Sequence, residues 1–196
     1  MRRSAMTAAL LALMVLGSGS GLQEGPVAVG ADAPDFTLTD VLDGSEVSLS
    51  ASREDHRYTI VLWIATECPY SNACNDDYQA ICDRYGDRGV GVLAINSNSS
   101  ETADEVARHA SEQGFTFPVL DDPGNRVADA YGATFTPELW IVDAGGKTVF
   151  HGGLIGPRND KSVQADFHAA MEALLEGEAP PKESTRAFGC TIKRGM

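Results

Sequence analysis

Between Tyr58 and Tyr85 the periodicity of the chain changes at a cysteine, and no other feature constrains its fold as strongly. Tyr58 to Ala65 is an almost unbroken run of β-branched, aliphatic and aromatic residues, which predicts a strand buried on both faces. Beyond Cys68, the residues Tyr78, Ile81, Cys82 and Tyr85 recur at i, i+3, i+4 and i+7, which predicts an amphipathic helix. Cys68 therefore stands where a strand turns into a helix. A thiol there lies near unpaired backbone N–H groups and the positive end of the helix dipole, and both stabilise a thiolate. The position suits a nucleophile. The plainer alternative is a small buried residue that packs.

The rest of the chain repeats the alternation. Phe36–Leu38 and Val47–Leu49 flank Asp43-Gly44, a turn dipeptide, and predict an N-terminal β-hairpin. After the cysteine helix, ending near Gly86 to Gly89, Val90 to Ile95 reads as a second buried strand. Ser99-Ser100-Glu101 predicts the start of a helix that Gly114 closes. Phe117 to Leu120 reads as a short strand, and Asp121-Asp122-Pro123 as the start of a brief helix through Ala130. Leu139–Val142 and Lys147–His151, joined by Asp143 to Gly146, predict a second hairpin. Phe167, Ala170, Met171, Leu174 and Leu175 mark a last helix that ends at Gly177. The order predicts an α/β chain with a central mixed sheet and helices on both faces. A tail, residues 178–196, follows and carries Cys190.

The first 21 residues predict a signal peptide. Met1-Arg2-Arg3 is a positive start, Ala5 to Leu16 an apolar stretch, and Gly17 to Gly21 a small-residue region suited to cleavage. The apolar stretch is short of the ~20 residues that span a bilayer, so no stable membrane anchor is expected. Residues 22–29 read as a flexible lead-in and 30–177 as one domain, which the length also favours. An exported chain, periplasmic or extracellular, is expected. Loss of the two early arginines moves the formal charge from −13 to −15, and acids spread through every segment argue against a nucleic-acid partner. All four cysteines lie beyond the signal region, in a chain bound for a compartment where disulfides persist. They allow three complete pairings, and spacing alone does not choose among them.

Taken together, Cys68 at its junction, Thr136-Pro137 ahead of the second hairpin and the order of elements resemble the thioredoxin-like three-layer fold. More narrowly, the chain resembles the redoxins of the AhpC/TSA type. Gly30 to Phe36 with Asp40 and Gly44, the Cys-Pro-Tyr junction at Cys68, Ala94 to Asn98, Phe117 to Asp122 and Gly189-Cys190-Thr191-Ile192 carry the likeness to a peroxiredoxin-like branch. The resemblance implies an oxidoreductase that needs no cofactor or metal, with a redox partner protein or a small thiol or peroxide as substrate. It also implies a cis bond at Thr136-Pro137, with Pro69, Thr136 and Pro137 at substrate-binding positions, where Thr136 offers backbone groups to an extended segment.

The departures are specific. The Pro and the Thr or Ser that peroxiredoxins carry eight and three residues before their cysteine are Ile60 and Ala65 here, and Thr66 falls one residue late. The second cysteine of a thioredoxin Cys-x-x-Cys is Ser71. A buried acid often found in thioredoxins is replaced by Leu62, which leaves no obvious internal proton acceptor.

Cys68 requires a second thiol to turn over dithiol chemistry. Cys190, on a tail expected to be mobile and able to fold back, is the first choice; the alternative is an exposed odd cysteine or a structural staple. Cys74 is the second choice. Six residues of regular helix rise about 9 Å, past the ~7 Å reach of a disulfide, unless Pro69-Tyr70 form a loop and Asn72 caps the helix. Cys82 is expected to be a core thiol. The four histidines show no metal-ligand spacing. The functional expectation is an exported thiol-disulfide oxidoreductase with Cys68 as nucleophile and Cys190, or Cys74, as resolving thiol. A thiol peroxidase is the alternative, and a non-catalytic module binding copper or a protein on the same fold is a third reading.

Overall fold

The computed structural model describes residues 25–195, so the expected signal peptide lies outside the described residues. Seven strands form the central sheet: β1 (Thr37–Asp40), β2 (Glu46–Ser48), β3 (Tyr58–Ile64), β4 (Val90–Asn96), β5 (Val119–Asp121), β7 (Glu138–Asp143) and β8 (Thr148–Gly152). Their order is β2-β1-β5-β4-β3-β7-β8, with β3, β4 and β5 parallel and the neighbours at each side antiparallel. The mixed sheet and the N-terminal hairpin are as the sequence predicts. Two further strands, β6 (Phe135–Thr136) and β9 (Cys190–Thr191), form a small antiparallel ladder of their own.

Successive side chains of a strand point to opposite faces, so the unbroken run in β3 feeds two cores. Ile60, Leu62 and Ile64 pack with Tyr78, Ile81 and Tyr85 of α3 (Asn75–Tyr85), Val106 of α4 (Ala103–Gln113) and Phe167 and Met171 of α6 (Ser162–Glu176). Val61 and Trp63 face the other way, onto Leu49 of α1 (Leu49–Asp55), Ala128 and Tyr131 of α5 (Arg126–Tyr131), and Trp140. The result is the three-layer arrangement of a thioredoxin-like fold. Among the described residues, no helix is long and apolar enough to cross a membrane.

Several boundaries differ from the sequence reading, each for a local reason. Leu49, read as strand, starts α1 because the Ser48 hydroxyl accepts the Ala51 N–H as an N-cap. Helix α4 opens at Thr102, not Ser99, through a capping box with Glu105; Glu101 is turned back toward the Cys68 loop instead. Helix α5 waits until Arg126, where the Asp122 carboxylate accepts the N–H groups of Val127 and Ala128. The lead-in is not loose along its whole length. Val27 is buried, bonded to Tyr131 O at 2.9 Å and clasped by the Trp140 indole at 3.0 Å.

The expected single helix after Cys68 is two: α2 (Pro69–Asn72), one turn long, and α3. Neither the regular helix nor the Asn72-capped helix describes it. The chain leaves helical geometry at Cys74, with φ −110° and ψ 5°.

Candidate active site

The loop from Ala65 to Ser71 is held from below and from the side. Ser71, fully buried, accepts the Ala65 N–H at 3.0 Å and pairs with the Tyr78 hydroxyl at 3.1 Å, so the position of a second thioredoxin cysteine is given to anchoring. Asn72 Nδ2 donates to Thr66 O at 2.8 Å. The Glu101 carboxylate accepts the N–H groups of Thr66 and Glu67 at 2.8 and 3.3 Å and is itself held by Asn96 Nδ2 at 2.6 Å. Backbone donors that a tight turn would leave unpaired are thus satisfied, and the loop is fixed.

Cys68 is the N-cap residue of α2, 4% exposed, and Pro69 fills the first helical position, where no N–H is needed. Its sulfur accepts the Ser71 N–H at 3.3 Å, and as a thiol it donates to Thr136 O at 3.2 Å. The Thr136–Pro137 bond is cis. Across the small ladder Thr136 faces Cys190, and Cys68 and Cys190 line one cavity.

Burial pushes the Cys68 thiol up, yet its acidity is raised overall. Hydrogen bonds from the Cys190 thiol, the otherwise unpartnered Thr136 hydroxyl and the N–H groups of Ser71 and Cys190 outweigh burial and hold it below the ordinary thiol value. The Ser71 N–H is one of the backbone donors the sequence predicts at the helix start; since α2 is one turn long, local donors rather than a long helix dipole carry the effect. Cys190 moves the opposite way, pushed up to about 11 by burial and by its bond to Cys68.

Cys74 is fully buried, and burial followed by the Asp77 charge raises it to about 12. It is therefore a poor thiolate. Cys82 is half-buried at the margin of the core, 3.9 Å from the Thr116 hydroxyl, rather than inside it. All four cysteines are free thiols. Among the described residues, no three or more His, Cys, Asp or Glu side chains cluster as metal ligands would.

The tail expected to be mobile is docked, with Cys68 and Cys190 both reduced. Ser184 bridges to His151 beside β8, Phe188 sets its ring edge-on to Tyr70 at 5.0 Å, and Ile192 is 5% exposed. A cavity of about 190 Å³ opens between Cys68, Cys190, Asn98, Glu101, Thr136 and Lys193. A buried polar atom of one of its lining residues, Asn98 Nδ2, has no hydrogen-bond partner. A larger cavity of about 670 Å³ lies at the opposite end of β4, around Val90, His56 and Cys82, remote from this chemistry. Sequence reasoning missed Ser71, Glu101 and Asn98 as site residues. Asn98 falls inside the Ala94–Asn98 motif; for Glu101 the only signal was an acid near a helix start.

Three comparisons follow this geometry. Thiol-disulfide oxidoreductase ResA of Geobacillus thermodenitrificans is 33% identical over 127 residues, covering 62% of this chain and 67% of that protein. A Mycobacterium tuberculosis protein provisionally named a peroxiredoxin is 32% identical over 120 residues, 61% of this chain and 70% of its own. Among solved structures, an uncharacterized conserved protein from Geobacillus kaustophilus superposes with a TM-score of 0.80 at 32% identity, over 86% of this chain and 93% of that one. The AhpC/TSA family profile matches residues 29–151, which takes in Cys68 and Thr136-Pro137 and stops before the tail. An oxidoreductase fold built around an acidified thiol and matched over most of its sheet has one assignment: the chain belongs to the AhpC/TSA family.

Proposed function

We propose that this chain is an exported thiol-disulfide oxidoreductase in which Cys68 is the nucleophile and Cys190 the resolving thiol. The observation that carries the reading is the convergence of the two thiols on Thr136, whose carbonyl accepts from Cys68 and whose backbone pairs with Cys190, beside one shared cavity. Export rests on the composition of residues 1–21 and places the cycle in a periplasmic or extracellular setting.

The cycle balances as follows. The Cys68 thiolate attacks a substrate disulfide, one substrate thiolate leaves and takes up a proton, and Cys68 is left in a mixed disulfide. Cys190, on losing its proton, attacks the Cys68 sulfur; the second substrate thiol departs and the Cys68–Cys190 disulfide remains. A dithiol reductant restores both thiols. Thr136 and Pro137, with Pro69 at the entrance, border the attacked sulfur, which supports their reading as substrate-binding residues.

The small cavity favours a second reading, a thiol peroxidase. Asn98 Nδ2 is free to donate to an oxygen beside Cys68. A hydroperoxide would oxidise the Cys68 thiolate to a sulfenic acid and leave as an alcohol or water; Cys190 would then form the disulfide and release water. Both readings share one intermediate. Peptide mapping of the oxidised chain by mass spectrometry tests it: Cys68 joined to Cys190 is expected, whereas Cys68 joined to Cys74, or Cys190 unpaired, would remove Cys190 from the mechanism.

A further inference from the structure

The sheet has a gap beside the first half of β4. That strand pairs with β3 from Val90 to Asn96 but with β5 only from Ala94 to Asn96. The cause is one residue. Continued toward Val90, the parallel ladder would bond Val92 O to the N–H of residue 118, and residue 118 is proline, which has none. Ala94 N donates to Pro118 O at 3.0 Å and Asn96 O accepts from Asp122 N at 3.0 Å, so the even-numbered residues of β4 turn their backbone groups toward β5. Val90 and Val92 turn theirs to the same side and, among the described residues, meet no partner there. Both are buried, at 3% and 5% exposure. Two N–H and two C=O groups are thus left along a buried strand edge, which is costly unless something pairs with them.

This edge borders the cavity of about 670 Å³, enclosed by α1, the first hairpin and the end of α3, a volume within the ~300–1,000 Å³ of ligand clefts. Leu93 and Phe117 give it apolar walls. Glu46 and Asp55 stand exposed at its mouth, and among the described residues no Lys or Arg lines it. At Gly91 a Cβ would lie 2.8 Å from the His56 ring, so glycine is what lets the imidazole lie against the strand. His56 Nδ1 donates to Ser52 O at 2.8 Å, which leaves Nε2 of the neutral ring as an acceptor.

We propose that this cavity is a docking site for an extended, lysine- or arginine-bearing segment of a partner protein, which adds as a strand to the open edge of β4 at Val90 and Val92. An extended chain carries N–H and C=O groups at the spacing that the two valines present, and a basic side chain answers Glu46 and Asp55. A second copy of this chain fits neither condition. Its own β4 edge is recessed behind α1 and the hairpin, and its formal net charge of −13 repels another copy. The site lies at the opposite end of β4 from the thiols, so it holds a partner without covering Cys68 and goes beyond the thiol chemistry.

The test uses the full chain and a fluorescein-labelled hexapeptide, Lys-Val-Thr-Val-Thr-Lys, with binding read by anisotropy and hydrogen exchange read at the Val90 and Val92 amides. The peptide is expected to bind and to slow exchange at both amides by about tenfold or more. Glutamate in place of both lysines, or N-methylation of the four inner residues so that no N–H is left to pair, is expected to weaken binding about tenfold. Ala51→Trp, which fills the cavity from an exposed position on α1, and the double variant Glu46→Gln with Asp55→Asn should each weaken it similarly. No binding, binding that leaves exchange at Val90 and Val92 unaltered, or binding of the acidic or N-methylated peptide as tight as that of the first would overturn the docking site. So would undiminished binding by either variant. Reaction of Cys68 with a small disulfide, measured on both variants, is expected to stay unchanged and shows that they are folded.

Discussion

Thr136 and Cys190 face each other across a two-residue antiparallel ladder, and the Thr136 carbonyl lies 3.2 Å from the Cys68 sulfur. One residue thus sets the distance between two thiols that are far apart in the chain. The docked tail thereby contributes, with Thr136 and the Ser71 N–H, to the acidity of Cys68.

The acidity can be measured directly. Alkylation of Cys68 against pH should show a midpoint below the ordinary thiol value of ~8.5. Removing a donor to the sulfur destabilises the thiolate, so Cys190→Ala and Thr136→Val should each move the midpoint upward. A midpoint that stays put in both variants would mean that the backbone N–H groups of residues 71 and 190 sustain the thiolate.

Turnover separates the two cysteines. Cys68→Ser should lower reduction of a small disulfide by roughly a hundredfold or more, since the nucleophile is lost. Cys190→Ser should leave the first attack intact and accumulate mixed disulfide, or sulfenic acid with a peroxide, visible as a mass adduct on Cys68. Full turnover by Cys190→Ser would assign resolution to another thiol.

The tail should remain in place without a disulfide. The sequence predicts a mobile tail, but in the structure the thiols are free and Ile192 is still buried. Protease cutting between Glu178 and Arg194 should therefore accelerate little on adding dithiothreitol. It should accelerate in Ile192→Asp, where a charge is placed in an apolar site at a cost of several kcal/mol. Rapid cutting of the reduced, unsubstituted chain would contradict this.

Cys74 should contribute to alkaline unfolding. Its folded pKa, about 12, lies above the unfolded value, so its neutral form stabilises the fold fully below the unfolded pKa. As pH rises from there toward 12, the unfolded chain gives up a proton that the folded chain keeps, and stability falls. In Cys74→Ala, urea unfolding free energies between about pH 9 and 11 should decline less steeply, by up to one proton per chain. An unchanged slope would show that Cys74 does not titrate on unfolding in that range.

What the sequence by itself determined is the part of the molecule recorded in local periodicity. The run from Tyr58 to Ile64 declared a strand with two buried faces, the spacing of Tyr78, Ile81 and Tyr85 declared a helix, and their junction singled out Cys68. Each of those patterns depends on which way a side chain points, and neighbours in the chain decide that. The tertiary structure alone decided what surrounds the thiol. The helix breaks at Cys74 beyond the Ser71 anchor, which bonds both Ala65 and Tyr78. Glu101 leaves its own helix start to hold Thr66 and Glu67, and Cys190 arrives from the far end of the chain to lower the pKa of Cys68. A hydrogen-bond partner more than a hundred residues away leaves no periodicity near the residue it serves, because the pairing is set by how the sheet and the tail close on each other.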